Sequence, residues 1–324
     1  MKLRNLGILI IAFFVLDSCK KISFEEDGKL VPRTVMEDAS LPAITVNGIR
    51  LHSQTYGNPS DPMIVMLHGG PGGDYQGLLN FKHLANDSLF IVFYDQRGSG
   101  LSQRLDKNEY PNVQVFIDEL EGIINHYRKD NSQKVVLAGH SWGAMLAAAY
   151  INQKPNDIKG LILMEPGGFT WDQVKTYTGR SRKINLFDES TNDFLYQDQF
   201  ITGDDHNTLD YKMALSTAGN VATGDISSAP FLRFGAICNA ASLALGKENP
   251  EQINFTTNLS NYNTEVLFAY SELNKPYGFE HAKLVSDPFP KVELVKILGC
   301  GHEIPHFGWN NLYAKIKNYL SKIL

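Results

Sequence analysis

The chain has 324 residues and a formal net charge of −5, from 30 Lys and Arg against 35 Asp and Glu. Apolar residues make up 43% and aromatics 11%, which supplies a large core and excludes intrinsic disorder, collagen-like and coiled-coil architectures. The mild acidity, with no basic run longer than a pair, excludes nucleic acid as the main partner and leaves a globular enzyme or binding protein.

Met1-Lys2-Leu3-Arg4 is a positive start, and Gly7 to Leu16 is a ten-residue apolar run. That length is short for a bilayer span and fits the apolar region of a signal peptide. It leads into Leu16-Asp17-Ser18-Cys19, which resembles a bacterial lipoprotein signal, so residues 1–18 are expected to be removed and Cys19 lipidated. The expected location is the bacterial cell envelope, with the protein held to its membrane by lipid at Cys19. Residues 19–41 follow as a tether. Cys238 and Cys300 remain, too few for a disulfide framework.

Ala43–Val46 and Ile49–Tyr56 flank Asn47-Gly48, a strong hairpin signal. The apolar runs at Met63–Leu67, Phe90–Tyr94, Lys134–Ala138 and Gly160–Met164 suit parallel strands buried on both faces. Val113–Lys129 and Trp142–Gln153 are helical stretches between them. Glu265–Tyr270 and Val292–Leu298 are two later strands, and Trp309–Ile323 is an amphipathic terminal helix. The alternation predicts a doubly wound, mostly parallel α/β sheet. Residues 170–262 interrupt it without an obvious strand and are predicted to form an inserted helical cap. The core is then 42–169 together with 263–324.

The chemistry sits at the ends of these strands. Met63–Leu67 runs into His68-Gly69-Gly70-Pro71-Gly72-Gly73, a loop that lets backbone N–H groups approach a ligand. It lacks the Gly-Lys-Ser/Thr of a phosphate loop. Phe90–Tyr94 ends in Asp95-Gln96-Arg97-Gly98-Ser99-Gly100, where a buried Arg paired with Asp would be architectural. Lys134–Ala138 enters Gly139-His140-Ser141-Trp142-Gly143, a G-x-S-x-G turn between strand and helix, which makes Ser141 the candidate nucleophile. The N–H groups of Gly70 and Trp142 are the candidate oxyanion hole.

Together HGGPGG, DQRGSG and GHSWGA, in that order, resemble the α/β-hydrolase superfamily, and within it the prolyl iminopeptidase-like branch of serine peptidases. The resemblance implies the α/β-hydrolase fold, an acyl-enzyme mechanism and no cofactor. The cap lacks the Trp-x-x-Trp-Glu element which that peptidase family uses near the substrate N-terminus. Val292–Leu298 leads into Gly299-Cys300-Gly301-His302, similar to the family's G-x-G-H turn, so His302 is the candidate base. His302-Glu303-Ile304-Pro305-His306 also spells H-E-x-x-H, but Pro305 disfavours the continuous helix a zinc site needs, and no metal is expected.

The acid has three candidates. The family places an Asp in the turn where this chain has Ser271-Glu272-Leu273-Asn274, so the matching residue is Asn274, with Glu272 beside it. Glu165 ends the preceding strand, and Met164-Glu165 followed by Trp171-Asp172 resembles some haloalkane dehalogenases that carry their acid there. Glu165 is preferred for its place at the strand end. A peptide substrate would call for a cap carboxylate to hold the free amine, from Glu189, Asp193, Asp198, Asp204 or Asp205. An ester would call for an apolar pocket, which Ala229–Leu245 could supply. The expected activity is that of an iminopeptidase-like aminopeptidase on a short peptide or small molecule. The alternatives are a carboxylesterase and a non-catalytic binding protein on a hydrolase scaffold.

Overall fold

A computed structural model describes residues 29–181, 205–217 and 223–324. The signal segment and Cys19 therefore lie outside the described residues, as do Glu189, Asp193, Asp198 and Asp204.

Eight strands form one sheet: β1 (Ala43–Val46), β2 (Ile49–Tyr56), β3 (Met63–Leu67), β4 (Phe90–Tyr94), β5 (Val135–His140), β6 (Gly160–Met164), β7 (Val266–Ser271) and β8 (Val292–Ile297). Their order is β1-β2-β4-β3-β5-β6-β7-β8. β1–β2 and β2–β4 are antiparallel pairs, and every later pair is parallel. The β1–β2 turn is made by Asn47 at φ 50° and Gly48 at φ 81°, the left-handed pair that a tight hairpin with the right twist requires.

The helices are α1 (Gln114–Tyr127), α2 (Trp142–Gln153), α3 (Trp171–Ser181), α4 (His206–Thr217), α5 (Ala236–Glu248), α6 (Gly278–Ser286), α7 (Ile304–Phe307) and α8 (Trp309–Ile323). The sheet divides two apolar clusters. Met63, Val65 and Leu67 join α1 and α2 in one, while Ile64 and Met66 join a 3-10 helix (Gln76–Asp87) and α8 in the other. A strand covered on both faces is apolar along its length, which is why β3, β4 and β6 are near-continuous apolar runs and β5 is apolar until the Gly139-His140 at its end. Each such side chain stabilises the fold by roughly 1.5–3 kcal/mol.

Among the described residues the insertion between β6 and β7 contains α3, α4, α5 and short 3-10 turns, with no named strand. The end of the stretch expected to be a tether packs onto the body. Val35 is buried, its N–H donates to the Leu101 carbonyl, and the Pro32 carbonyl accepts from Arg233. No helix among the described residues is long and apolar enough to cross a membrane.

Candidate active site

The strand order reverses at β3, which lies between β4 and β5. Loops leaving the carboxyl ends of β3 and β5 go to opposite faces of the sheet there and open a crevice. The glycine-rich loop follows β3 and Ser141 follows β5, so topology alone brings them together.

Ser141 links β5 to α2 at φ 54° and ψ −120°, a conformation that costs a non-glycine residue energy. The turn is fixed by the Ser141 N–H, which donates to the Met164 carbonyl at 2.9 Å. Both flanking glycines are obligatory. A Cβ on Gly143 would lie 2.0 Å from the Leu67 carbonyl oxygen, and one on Gly139 would lie 2.4 Å from the Gly143 oxygen. Trp142 begins α2, so its N–H is a first-turn donor without an intrahelical acceptor. Gly70 takes φ 123°, and a Cβ on Gly69 would come 3.1 Å from the Ser141 Cβ, which sets the loop beside the serine.

Side chains behind the loop lock it. The His68 Nε2 accepts from the Gln96 N–H at 2.9 Å, and the Gln96 side chain donates to the His68 carbonyl and accepts from the Trp142 indole. Burial holds the His68 imidazole below its ordinary range. Asp95 accepts the N–H groups of Tyr75 and Leu101 and contacts the His52 ring. Arg97 differs from expectation. Its buried partner is Glu119 of α1, on Oε2 at 3.2 Å, rather than the aspartate of its own turn, and the role is architectural.

Glu165 follows β6 at φ 45° and is fully buried. Its Oε1 accepts the N–H and hydroxyl of Ser271 at 2.7 and 2.6 Å. Its Oε2 accepts the Asn274 amide at 2.8 Å and faces the His302 Nδ1 at 2.8 Å. Of the three candidate acids, Glu165 therefore contacts the imidazole and Asn274 supports it. Glu272 points elsewhere, accepting the Gly299 N–H at 3.0 Å on an exposed turn, which corrects its standing as an alternative acid. Asn274, the least favoured candidate, has the same correction. It bonds to Glu165, not to His302.

His302 is 15% exposed. Burial opposes its charged form, but the Glu165 hydrogen bond and charge, with Glu303 and Asp225 nearby, raise its pKa above 6.5. His140 packs against it, with ring centroids 4.6 Å apart, and bonds through Nε2 to the His302 carbonyl at 2.8 Å. Burial first, and the His302 charge second, hold His140 well below 6.5. Since a carbonyl only accepts, His140 donates, and it fixes the His302 backbone. H-E-x-x-H does not form one helical face, because α7 starts at Ile304, after His302. Cys238 and Cys300 are both free and buried.

Ser141 and His302 line one cavity of about 250 Å³ with Gly70, Asp74, Asp225 and Glu303. Its apolar lining includes Leu78, Phe231 and Phe234. The three carboxylates are absent from the sequence-derived candidates. Asp74 accepts the N–H groups of Gln76, Leu232 and Arg233, and Asp225 those of Gly301 and Glu303. The Glu303 carboxylate accepts no hydrogen bond from a described residue. Burial raises its pKa against the lowering effect of His302. Asp205, the one expected cap acid among the described residues, instead caps α4 through Asn207 and Thr208. Adjacency to His302 is the signal that could have singled out Glu303; Ser271 carries none.

The family described as "Serine aminopeptidase, S33" matches residues 58–196. A proline iminopeptidase of Heyndrickxia coagulans is 37% identical over 124 residues, which is 38% of this chain and 42% of that protein. The chain spans less than half the length of the curated relatives it matches. Among solved structures, VinJ superposes with a TM-score of 0.64 at 18% identity, over 88% of this chain and 99% of VinJ. The proline iminopeptidase of Mycobacterium smegmatis gives 0.60 at 16% identity, over 87% and 98%. These likenesses show the fold.

Proposed function

We propose that this chain, which has the α/β-hydrolase fold and resembles the prolyl iminopeptidase-like branch of that superfamily, is a serine hydrolase releasing the N-terminal residue of short peptides or amides. The observation that carries the reading is the contact of His302 Nδ1 with Glu165 beside the cavity into which Ser141 opens. With Nδ1–H held by the carboxylate, Nε2 is the basic nitrogen. It takes the Ser141 proton as Oγ attacks the acyl carbonyl, and Glu165 stabilises the imidazolium that results. The Gly70 and Trp142 N–H groups receive the oxyanion. His302 then protonates the leaving amine, and water resolves the acyl-enzyme by the same steps in reverse.

Glu303 supports an amine-bearing substrate. Asp74 and Asp225 are engaged by backbone N–H groups, whereas Glu303 accepts no hydrogen bond from a described residue, so it is the cavity carboxylate we assign to an ammonium group. The apolar lining residues Phe231 and Phe234 support a second reading, a carboxylesterase for small esters. Kinetics of the wild type, Ser141→Ala and Glu303→Gln on a proline arylamide and a short nitrophenyl ester separate the two. The peptidase reading expects Ser141-dependent arylamide cleavage, with Glu303→Gln raising its KM by roughly tenfold more than that of the ester, the weight of one charge-assisted contact. Ester cleavage alone, or equal effects of Glu303→Gln on both, would favour the esterase.

We also infer a lipid anchor at Cys19 in the cell envelope, supported by the basic start, apolar run and Ser18-Cys19 junction. Labelling from a lipid precursor should be lost in Cys19→Ala.

A further inference from the structure

The loop that carries Gly70, locked by His68 and Gln96, is also held by one stretch of the insertion, residues 232–239. Leu232 and Arg233 donate their N–H groups to Asp74 Oδ2 at 2.5 and 3.1 Å. The Gly235 N–H donates to the Gly72 carbonyl at 2.7 Å, and the Asn239 amide donates to the Pro71 carbonyl at 2.8 Å. The fit is close, since a Cβ on Gly72 would lie 2.5 Å from the Gly235 oxygen.

That stretch is pinned in turn by one side chain. Arg233 is 2% exposed. Its Nε donates to Asp210 Oδ2 at 2.7 Å and its Nη2 to Asn207 Oδ1 at 2.8 Å, both on α4. Its Nη1 donates to the Pro32 carbonyl at 2.7 Å and reaches Glu37 at 3.4 Å. Arg104 shares Asp210 Oδ2 at 2.7 Å and holds the carbonyls of Ser99, Gly100 and Ser102. Two guanidinium groups against the fully buried Asp210 leave one positive charge, and Glu37 supplies the second negative one. A buried charge without its partner is costly, so α4, the 232–239 stretch and the N-terminal segment hold one another in register.

We propose that Arg233 is a positioning residue for the oxyanion donor at Gly70, acting through residues 232–239, and that Pro32–Glu37 is part of that support rather than a passive tether. The inference rests on the reading of the Gly70 N–H as an oxyanion donor.

The test uses the full chain with Arg233→Met, Arg233→Lys, Glu37→Gln and Asn239→Ala. It measures kcat and KM on a small activated ester and an aminoacyl amide, and the rate at which a fluorophosphonate labels Ser141. Loss of a whole oxyanion donor costs about a hundredfold or more in kcat, so its misplacement by Arg233→Met should cost at least about tenfold. The loss should be equal on both substrates, with KM changing less than about threefold, because the interaction acts in the transition state. Glu37→Gln and Asn239→Ala should follow in the same direction at smaller size, and Arg233→Lys should recover part of the loss. The acidic limb of the pH profile, set by His302, should not move. If Arg233→Met does not fold, Glu37→Gln and Asn239→Ala decide, since both leave the Arg–Asp–Arg cluster in place. A rise in KM for the larger substrate with unchanged kcat on the ester would overturn the proposal. A wild type that is not labelled at Ser141 would overturn the underlying reading and the inference with it. Labelling of all variants at the wild-type rate would overturn the inference alone.

Discussion

Asn274 donates its side-chain amide to the same Glu165 oxygen that faces the His302 ring, so the amide and the imidazole meet on one carboxylate oxygen. The carboxylate accepts three hydrogen bonds from Ser271 and Asn274, and the imidazole makes a fourth contact. That arrangement separates the two glutamates sharply. Glu165→Gln should lower kcat by about 10⁴-fold, the scale of losing a triad carboxylate with its geometry kept. Glu272→Gln should change it less than about threefold, as expected for a half-buried group whose hydrogen bond goes to the Gly299 N–H and not to His302. Steady-state kinetics of the two purified variants check this, and comparable losses would remove Glu165 from the mechanism.

The charge pattern around His302 gives opposite pH dependences for activity and stability. Its pKa is raised above 6.5 because the Glu165 hydrogen bond and charge, with Glu303 and Asp225, outweigh burial. The base must be neutral, so kcat/KM should rise with pH through a value above 6.5. A raised folded-state pKa contributes stability that is complete below about 6.5, the unfolded value, and is lost as pH climbs through the folded one. The melting temperature should therefore fall over the window in which activity rises. Glu165→Gln should shift the activity limb to lower pH. A limb that stays put would show that Glu165 does not set it.

Much of this site was legible because buried parallel strands are written as unbroken apolar runs whose polar ends are the site. β3, β4 and β6 have their expected bounds, Asn47-Gly48 turns the hairpin, and Ser141 begins a helix at Trp142. Long-range pairing was not legible. Ser271 and Asn274 lie 106 and 109 residues from Glu165, and no local pattern records that β6 and β7 are neighbours whose ends meet. The same blindness hid Glu119 behind Arg97. The helical stretch between β3 and β4 is the 3-10 helix Gln76–Asp87, and α6 is a helix that no named stretch of the sequence marked.

A tight backbone approach at the nucleophile turn carries another prediction. Gly143 leaves no volume for a methyl group, since Cβ would meet the Leu67 and His68 carbonyl oxygens at 2.0 and 2.7 Å. These are backbone atoms of β3 and of the loop after it, so they cannot turn aside as a side chain could. Gly143→Ala should push α2 away from β3, cost roughly 1–3 kcal/mol and abolish turnover by displacing Ser141 and the Trp142 N–H together. Thermal denaturation and labelling of Ser141 measure the two effects. An alanine variant of wild-type stability would mean the elbow is more open than described.

The pairing of Glu165 with Asn274 allows the charge to be moved rather than merely removed. In Asn274→Asp two carboxyl groups would face each other at about the present 2.8 Å separation. They cannot both ionise at that distance, so one proton is shared and the pair keeps a single negative charge near neutral pH. Activity should then survive within about tenfold, and fall off at high pH where the shared proton leaves. In Glu165→Gln/Asn274→Asp the carboxylate and amide have exchanged places. The negative charge returns to the pair that meets His302, and the amide now at the end of β6 can donate to it as Asn274 donates in the wild type. The double variant should recover at least about tenfold of the kcat lost in Glu165→Gln, because imidazolium stabilisation depends on the charge more than on which strand carries it. A double variant no better than Glu165→Gln alone would show that the Glu165 position, and not the charge, is what His302 requires.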